Sequence, residues 1–169
     1  DAIYRFLNSP TYNWRRFLLS LSASTISKVS ALTNHKRPKV LIIDDSAYER
    51  NRSKKVELLA RCFDHSSQKM RFYKGFRMLT LGWSDGATFM PLDFSLLSST
   101  KSGINGIDDR IDKRTCGYKR RKEALGTAPS AIPDMIQRAL ASGVDASYVL
   151  MDTWFTQQPL IKAIKEQGI

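Results

Sequence analysis

The run Lys39-Val40-Leu41-Ile42-Ile43-Asp44-Asp45-Ser46 constrains this chain more than any other stretch. Four consecutive apolar residues, three of them β-branched, follow Pro38 and end in two carboxylates. That length and composition suit a buried strand rather than an amphipathic helix. Ligands of α/β folds bind at the carboxyl ends of strands, so an acid pair there is a candidate site. A second run of the same kind, Tyr148-Val149-Leu150-Met151, is expected to be another buried strand, and it closes on Asp152. If the two strands are neighbours in one sheet, their terminal carboxylates come side by side, and such oxygen donors suit Mg²⁺ or Mn²⁺. On a regular strand Asp44 and Asp45 point to opposite faces, so only one of them can face Asp152. The plainer reading of each aspartate is a helix cap, and Asp152 ahead of Thr153 suits that role as well.

The chain has 169 residues, enough for one domain with a real core and short for two full ones. Its 27 Lys and Arg exceed its 16 Asp and Glu, a formal charge of +11. That excess suits a polyanion, of which nucleic acid is the commonest soluble one; a basic protein with no such partner is the alternative. Two cysteines, Cys62 and Cys116, make neither a disulfide framework nor a cysteine-rich zinc cluster. Two histidines argue against a histidine zinc site, and His65 beside Asp64 reads as a loop hydrogen-bonder. No apolar stretch is as long as a bilayer span and no signal peptide opens the chain, so a cytoplasmic location is expected. A start at Asp1 and an end at Ile169, just past a helical pattern, suggest a segment of something longer.

Residues 1 to 35 read as helical. Tyr4, Phe6 and Leu7, then Trp14, Phe17, Leu18 and Leu21, recur at spacings of three and four around an Asn8-Ser9-Pro10 interruption. A weaker helical segment is expected from Ser24-Thr25 onward. Ordinary packing is the first reading of this part, and a DNA-reading helix-turn-helix the second. Beyond Asp45 the chain is polar, Val56, Leu58 and Leu59 form a short apolar patch, and Asp64-His65-Ser66-Ser67 reads as a loop. Strands are expected at 71–81 and 88–97, joined by the turn residues Ser84-Asp85-Gly86. Asp93, after Pro91, reads as a turn or strand residue rather than a third ligand. Residues 98–122 carry eight basic and three acidic side chains, an excess of five. Lys113, Arg114, Lys119, Arg120, Arg121 and Lys122 are the candidate phosphate contacts there, against the alternative of a solvated loop. A helix from Pro129 with Ile132, Met135, Ile136, Ala139 and Leu140 on one face, the second strand, and a helix over 159–167 complete the chain. Leu160, Ile161 and Ile164 are expected to face inward, with Glu166 outward.

This order of elements resembles the RNase H-like catalytic core of DDE transposases of bacterial insertion sequences. Leu41-Ile42-Ile43-Asp44-Asp45-Ser46 is similar to the family's first-aspartate strand, and Val149-Leu150-Met151-Asp152-Thr153-Trp154-Phe155 to its second. Lys74 to Leu81, followed by Pro91-Leu92-Asp93, resembles the strands between them. The resemblance implies an α/β fold with a mixed sheet and flanking helices, incomplete at the C-terminus, over residues 38–169, with a basic insertion at about 98–126 and a helical segment over 1–37. It implies catalytic roles for Asp45, matching the family's Asp-Ser step, and Asp152, with Asp44 as the runner-up for the first aspartate and a further candidate metal ligand. It also implies a Mg²⁺ or Mn²⁺ cofactor, double-stranded DNA (transposon ends and target) as partner, and a homodimer in the full-length protein. The expected activity is metal-dependent phosphodiester hydrolysis and strand transfer at insertion-sequence ends. The family's third carboxylate, a glutamate on a later helix, has no counterpart here, so this chain alone is expected to be inactive. Another RNase H-like nuclease and a non-catalytic DNA-binding remnant are the competing readings, and the absence of a glycine-rich loop after Ile43 argues against a nucleotide-binding protein.

Overall fold

A computed structural model describes residues 1–34, 36–64 and 71–169. His35, and the loop expected around His65, lie outside the described residues.

The elements in chain order are α1 (Ala2–Leu7), α2 (Trp14–Leu32), β1 (Val40–Glu49), β2 (Ala60–Asp64), β3 (Arg71–Ser84), β4 (Phe89–Leu97), α3 (Cys116–Ala124), α4 (Ala128–Ala141), β5 (Tyr148–Met151) and α5 (Gln158–Lys165). Five strands form one mixed sheet in the order β2-β3-β1-β5, with β4 also paired to β3. β1 and β5 are parallel and β2 and β3 antiparallel. The mixed sheet with flanking helices is the architecture expected from the order of elements.

The chain divides into two compact units: residues 1–14, 46–78 and 95–127, and residues 15–45, 79–94 and 128–169. In the first, Leu58, Leu59, Phe76 and Ala124 are buried together. Gly75 is required there because a Cβ would collide with the Tyr48 carbonyl oxygen, a backbone approach that only glycine permits. In the second, Leu41, Ile43, Leu79, Leu81 and Trp83 of the strands are buried, as are Ile132, Met135, Ile136 and Ala139 of α4 and Leu160 and Ile164 of α5. The spacing of the α4 set is the apolar stripe of an amphipathic helix, and Gly143 in a left-handed conformation (φ 81°) follows its end. Asp93 is a buried charge of this unit. It accepts hydrogen bonds from Arg15 Nε (2.7 Å) and from Arg138 Nε and Nη2 (3.1 and 2.8 Å), so desolvation of the carboxylate is offset by two guanidinium groups.

Several elements differ from the sequence reading. β5 is not a buried strand: Tyr148 and Leu150, on one face of it, are 60% and 53% exposed, and among the described residues β5 ends the strand order next to β1. α2 runs unbroken through Ser24-Thr25, where the Thr25 hydroxyl bonds back to the Leu21 carbonyl (2.9 Å). β2 and α3 have no counterpart among the expected elements. β2 is only five residues, three of them polar or sulfur-bearing, and α3 is too rich in Lys and Arg to show an apolar period. Ile161 faces outward rather than inward, while Leu160 and Ile164, a helical turn apart, are buried. Asp93 is a strand residue, held by arginines.

Candidate active site and basic surface

The second unit holds the three aspartates singled out in the sequence. The parallel ladder pairs Val40 with Tyr148, Leu41 with Val149, Ile42 with Leu150 and Ile43 with Met151. Its start is extended by the Ser147 amide donating to the Lys39 carbonyl (2.9 Å). Asp152, which follows Met151, still has an extended backbone (φ −61°, ψ 152°). The two strands therefore bring Asp44 and Asp152 to the same end of the sheet, each one residue past the last ladder pair.

Burial alternates along β1. Leu41 and Ile43 are buried, Ile42 is half-buried and Asp44 exposed, while Asp45 is half-buried on the face of Leu41 and Ile43. Asp44 and Asp45 thus lie on opposite faces of β1. The Thr80 hydroxyl of β3 donates to the Asp44 backbone carbonyl (3.1 Å), leaving its carboxylate uncommitted. Among the described residues neither Asp44 nor Asp152 forms an ion pair. Asp152 Oδ1 accepts from the Thr153 hydroxyl (3.0 Å) and at 3.5 Å from the Trp154 amide, so it does cap the short 3₁₀ turn Thr153–Phe155. That capping uses one carboxylate oxygen. The other has no hydrogen bond among the described residues, and Trp154 nearby in the chain is 57% exposed.

As donors for a divalent ion, these groups are of the right kind. They are hard oxygen ligands without a competing cation, and Mg²⁺ is commonly held by one or two carboxylates with water and substrate phosphate filling the rest of its sphere. Among the described residues no group of three or more His, Cys, Asp or Glu side chains could hold a metal. Glu166 is exposed and lies 4.0 Å from Lys162, on the outer side of α5.

The basic residues singled out in the sequence belong to the first unit. Lys119, Arg120, Arg121 and Lys122 fall on α3, whose N-terminus is capped by Thr115. The excess of charge is smaller than the sequence count, because partners sit close by. Arg121 makes a two-pronged contact with Glu57 Oε2 (2.9 and 2.6 Å), whose hydrogen bonds hold the Glu57 carboxyl below its ordinary range. Arg114 folds onto Asp112 (2.9 Å) and Arg110 onto Asp108 (2.6 Å), and the arginine hydrogen bonds lower both carboxyl pKa values. Lys113, Lys119 and Lys122 are exposed and make no ion pair among the described residues. These lysines are the cations left available to a phosphate backbone. The Glu57 partnership was invisible in sequence, since 64 residues separate it from Arg121.

The five-strand mixed sheet, with β1 and β5 parallel and helices on its flanks, is that of an RNase H-like fold. The whole of residues 1–169 matches the DDE superfamily endonucleases, and the chain belongs to that family. No curated protein and no solved structure matches it significantly. Membership brings a nuclease or transposase type of activity on DNA, and members of this superfamily generally use divalent metal ions. Among the described residues no helix is long and apolar enough to cross a membrane.

Proposed function

We propose that this chain supplies the first two metal-binding carboxylates of a DDE transposase that hydrolyses phosphodiesters and transfers strands at insertion-sequence ends. The observation that supports the reading is the parallel β1/β5 ladder, which pairs Ile43 with Met151 so that Asp44 and Asp152 follow at the same end of the sheet. Asp44 and Asp152 would hold a Mg²⁺ or Mn²⁺ ion, and Asp45, matched to the family by its Asp-Ser step, is the alternative first ligand. When bound, such ions activate an attacking water or 3′ hydroxyl and stabilise the leaving oxygen. The chain's own residues do the positioning. β1 and β5 fix the carboxylates by backbone pairing, the Thr153 hydroxyl orients Asp152, and Lys113, Lys119 and Lys122 attract the phosphate backbone of duplex DNA. Arg120 belongs to the same basic surface, as do Arg114 and Arg121, whose charge is partly spent on Asp112 and Glu57. We keep the boundary between a helical segment and the catalytic domain at 37/38. A homodimer and a cytoplasmic location complete this reading.

The test is a cleavage assay on end-bearing duplex with Mg²⁺ or Mn²⁺, in the longest in-frame product of the coding DNA, comparing Asp44→Asn, Asp45→Asn and Asp152→Asn. Loss in Asp44→Asn and Asp152→Asn with retained DNA binding supports the reading. Loss in Asp45→Asn with a fully active Asp44→Asn moves the first ligand to Asp45, and full activity of Asp152→Asn overturns the site.

A further inference from the structure

The first unit contains a pocket of about 590 Å³ that no step of the proposed cleavage uses. It lies within the range of small-ligand sites. Its wall combines two arginines, Arg61 and Arg77, with a pair of phenylalanines, Phe63 and Phe72, and the hydroxyls of Ser99 and Ser102; among the described residues no acidic one lines it.

Each part has a separate chemical meaning. Phe63 and Phe72 are cross-strand partners of β2 and β3, their rings 5.1 Å apart and steeply tilted. Phe72 is nonetheless 72% exposed, so a broad ring face stands open to whatever enters. A single exposed phenylalanine would need no explanation. Here the open ring shares a pocket with Arg61, whose guanidinium forms no ion pair among the described residues, although Arg71, Arg110, Arg114 and Arg121 of this unit have each found an acid. Ser102 spends its hydroxyl proton on the Arg61 carbonyl (2.8 Å), which ties the serine loop to β2. The Ser99 oxygen accepts the Ser102 amide (3.2 Å), which leaves its hydroxyl proton for an anion. An open aromatic face beside an unspent guanidinium and a hydroxyl donor matches a base stacked next to its own phosphate.

We propose that this pocket binds an unpaired nucleotide of single-stranded DNA, with the base on Phe72 and the adjacent phosphate at Arg61 and Ser99. A base inside a duplex offers no free π-face, so the pocket selects strand that has been opened. The inference shares with the proposed function only the class of partner, DNA. It does not depend on the carboxylates or on metal.

The experiment is fluorescence anisotropy in EDTA, comparing an oligo-dT with an abasic phosphodiester strand of the same length. The protein should bind oligo-dT about five-fold tighter or better, the lower end of what one stacked base contributes. Phe72→Ala should erase that preference, Phe72→Trp should keep it, and Arg61→Ala should weaken both strands alike. Equal affinity of the unaltered protein for the two strands, or a preference surviving Phe72→Ala, overturns the proposal. Asp152→Asn should leave the preference untouched, so a failure of the cleavage reading and a failure of this one give different results.

Discussion

The two units differ most in charge. The first carries 18 Lys and Arg against 8 Asp and Glu in sequence, and the second 9 against 8, so nearly all of the net +11 belongs to the first. Under the proposed function, the difference lets a basic unit attract a polyanion while a near-neutral unit keeps carboxylates for a metal. In the basic unit Glu57, Asp108 and Asp112 are each taken by an arginine, which is what a cation-rich surface does to a carboxylate. In the near-neutral unit Asp85, Asp93 and Asp145 are paired, but Asp44 and Asp152 are left without a cation among the described residues. A carboxylate meant for a divalent ion needs that neutrality, since a bound guanidinium would compete for the same oxygens.

The comparison implies first that chemistry and attraction can be separated by mutation. Asp152→Asn should cut strand cleavage by roughly a thousand-fold, the several kcal/mol of charge stabilisation that a missing metal ligand removes. Duplex binding measured by gel shift should change little, and a parallel loss of binding would mean that the two units do not divide the work this way. The second expectation concerns what ion pairs do in each unit. Asp93→Ala strands two guanidinium groups around a buried site and should cost about 3 kcal/mol in urea unfolding. Glu57→Gln, at a half-exposed pair, should cost under about 1 kcal/mol. Similar costs for the two would erase the distinction between buried and surface pairing.

A third measurement addresses the basic surface. Replacing Lys113, Lys119 and Lys122 together by Gln should lower the slope of log affinity against log salt by roughly two to three, near 0.9 for each phosphate that is no longer neutralised. Arg121→Gln should lower it by less than one lysine does, because Glu57 already spends that charge. The smallest effect is expected from acid. Hydrogen bonds from the Thr88 amide and from Arg37 hold the Asp85 carboxyl down to about 2. A carboxyl depressed in the folded state contributes stability that is complete above its ordinary pKa near 3.8 and is lost as pH falls toward 2. Asp85→Asn should therefore flatten the acid limb of a thermal-unfolding profile in that window and leave its shape above about pH 5 unchanged.

Where a physical period is strong, the sequence was enough. Val40 to Ile43 could only be a strand, α4 advertised its buried face at helical spacing, and Ser84-Asp85-Gly86 marked the turn between β3 and β4. Short or highly charged elements were not legible. α3 hides its helix behind Lys and Arg, and β2 is held by antiparallel partners in β3 rather than by its own composition. The exposure of β5 could not be read either, since an apolar run looks the same at the edge of a sheet as at its centre.

The candidate site divides along the same line. Local sequence determined that two strands end in acids, because β-branched runs and the residues that terminate them are set within a few positions. Which acids come to one end of the sheet was decided by tertiary structure, through a parallel register that pairs Ile43 with Met151, the residues just before Asp44 and Asp152. Tertiary structure likewise decided which basic residues keep their charge, bringing Glu57 to Arg121 across 64 residues. The physical reason is common to both. Strand propensity and net charge are sums over neighbours in sequence, whereas a facing pair or a neutralised charge depends on a single register or contact that only the folded chain selects.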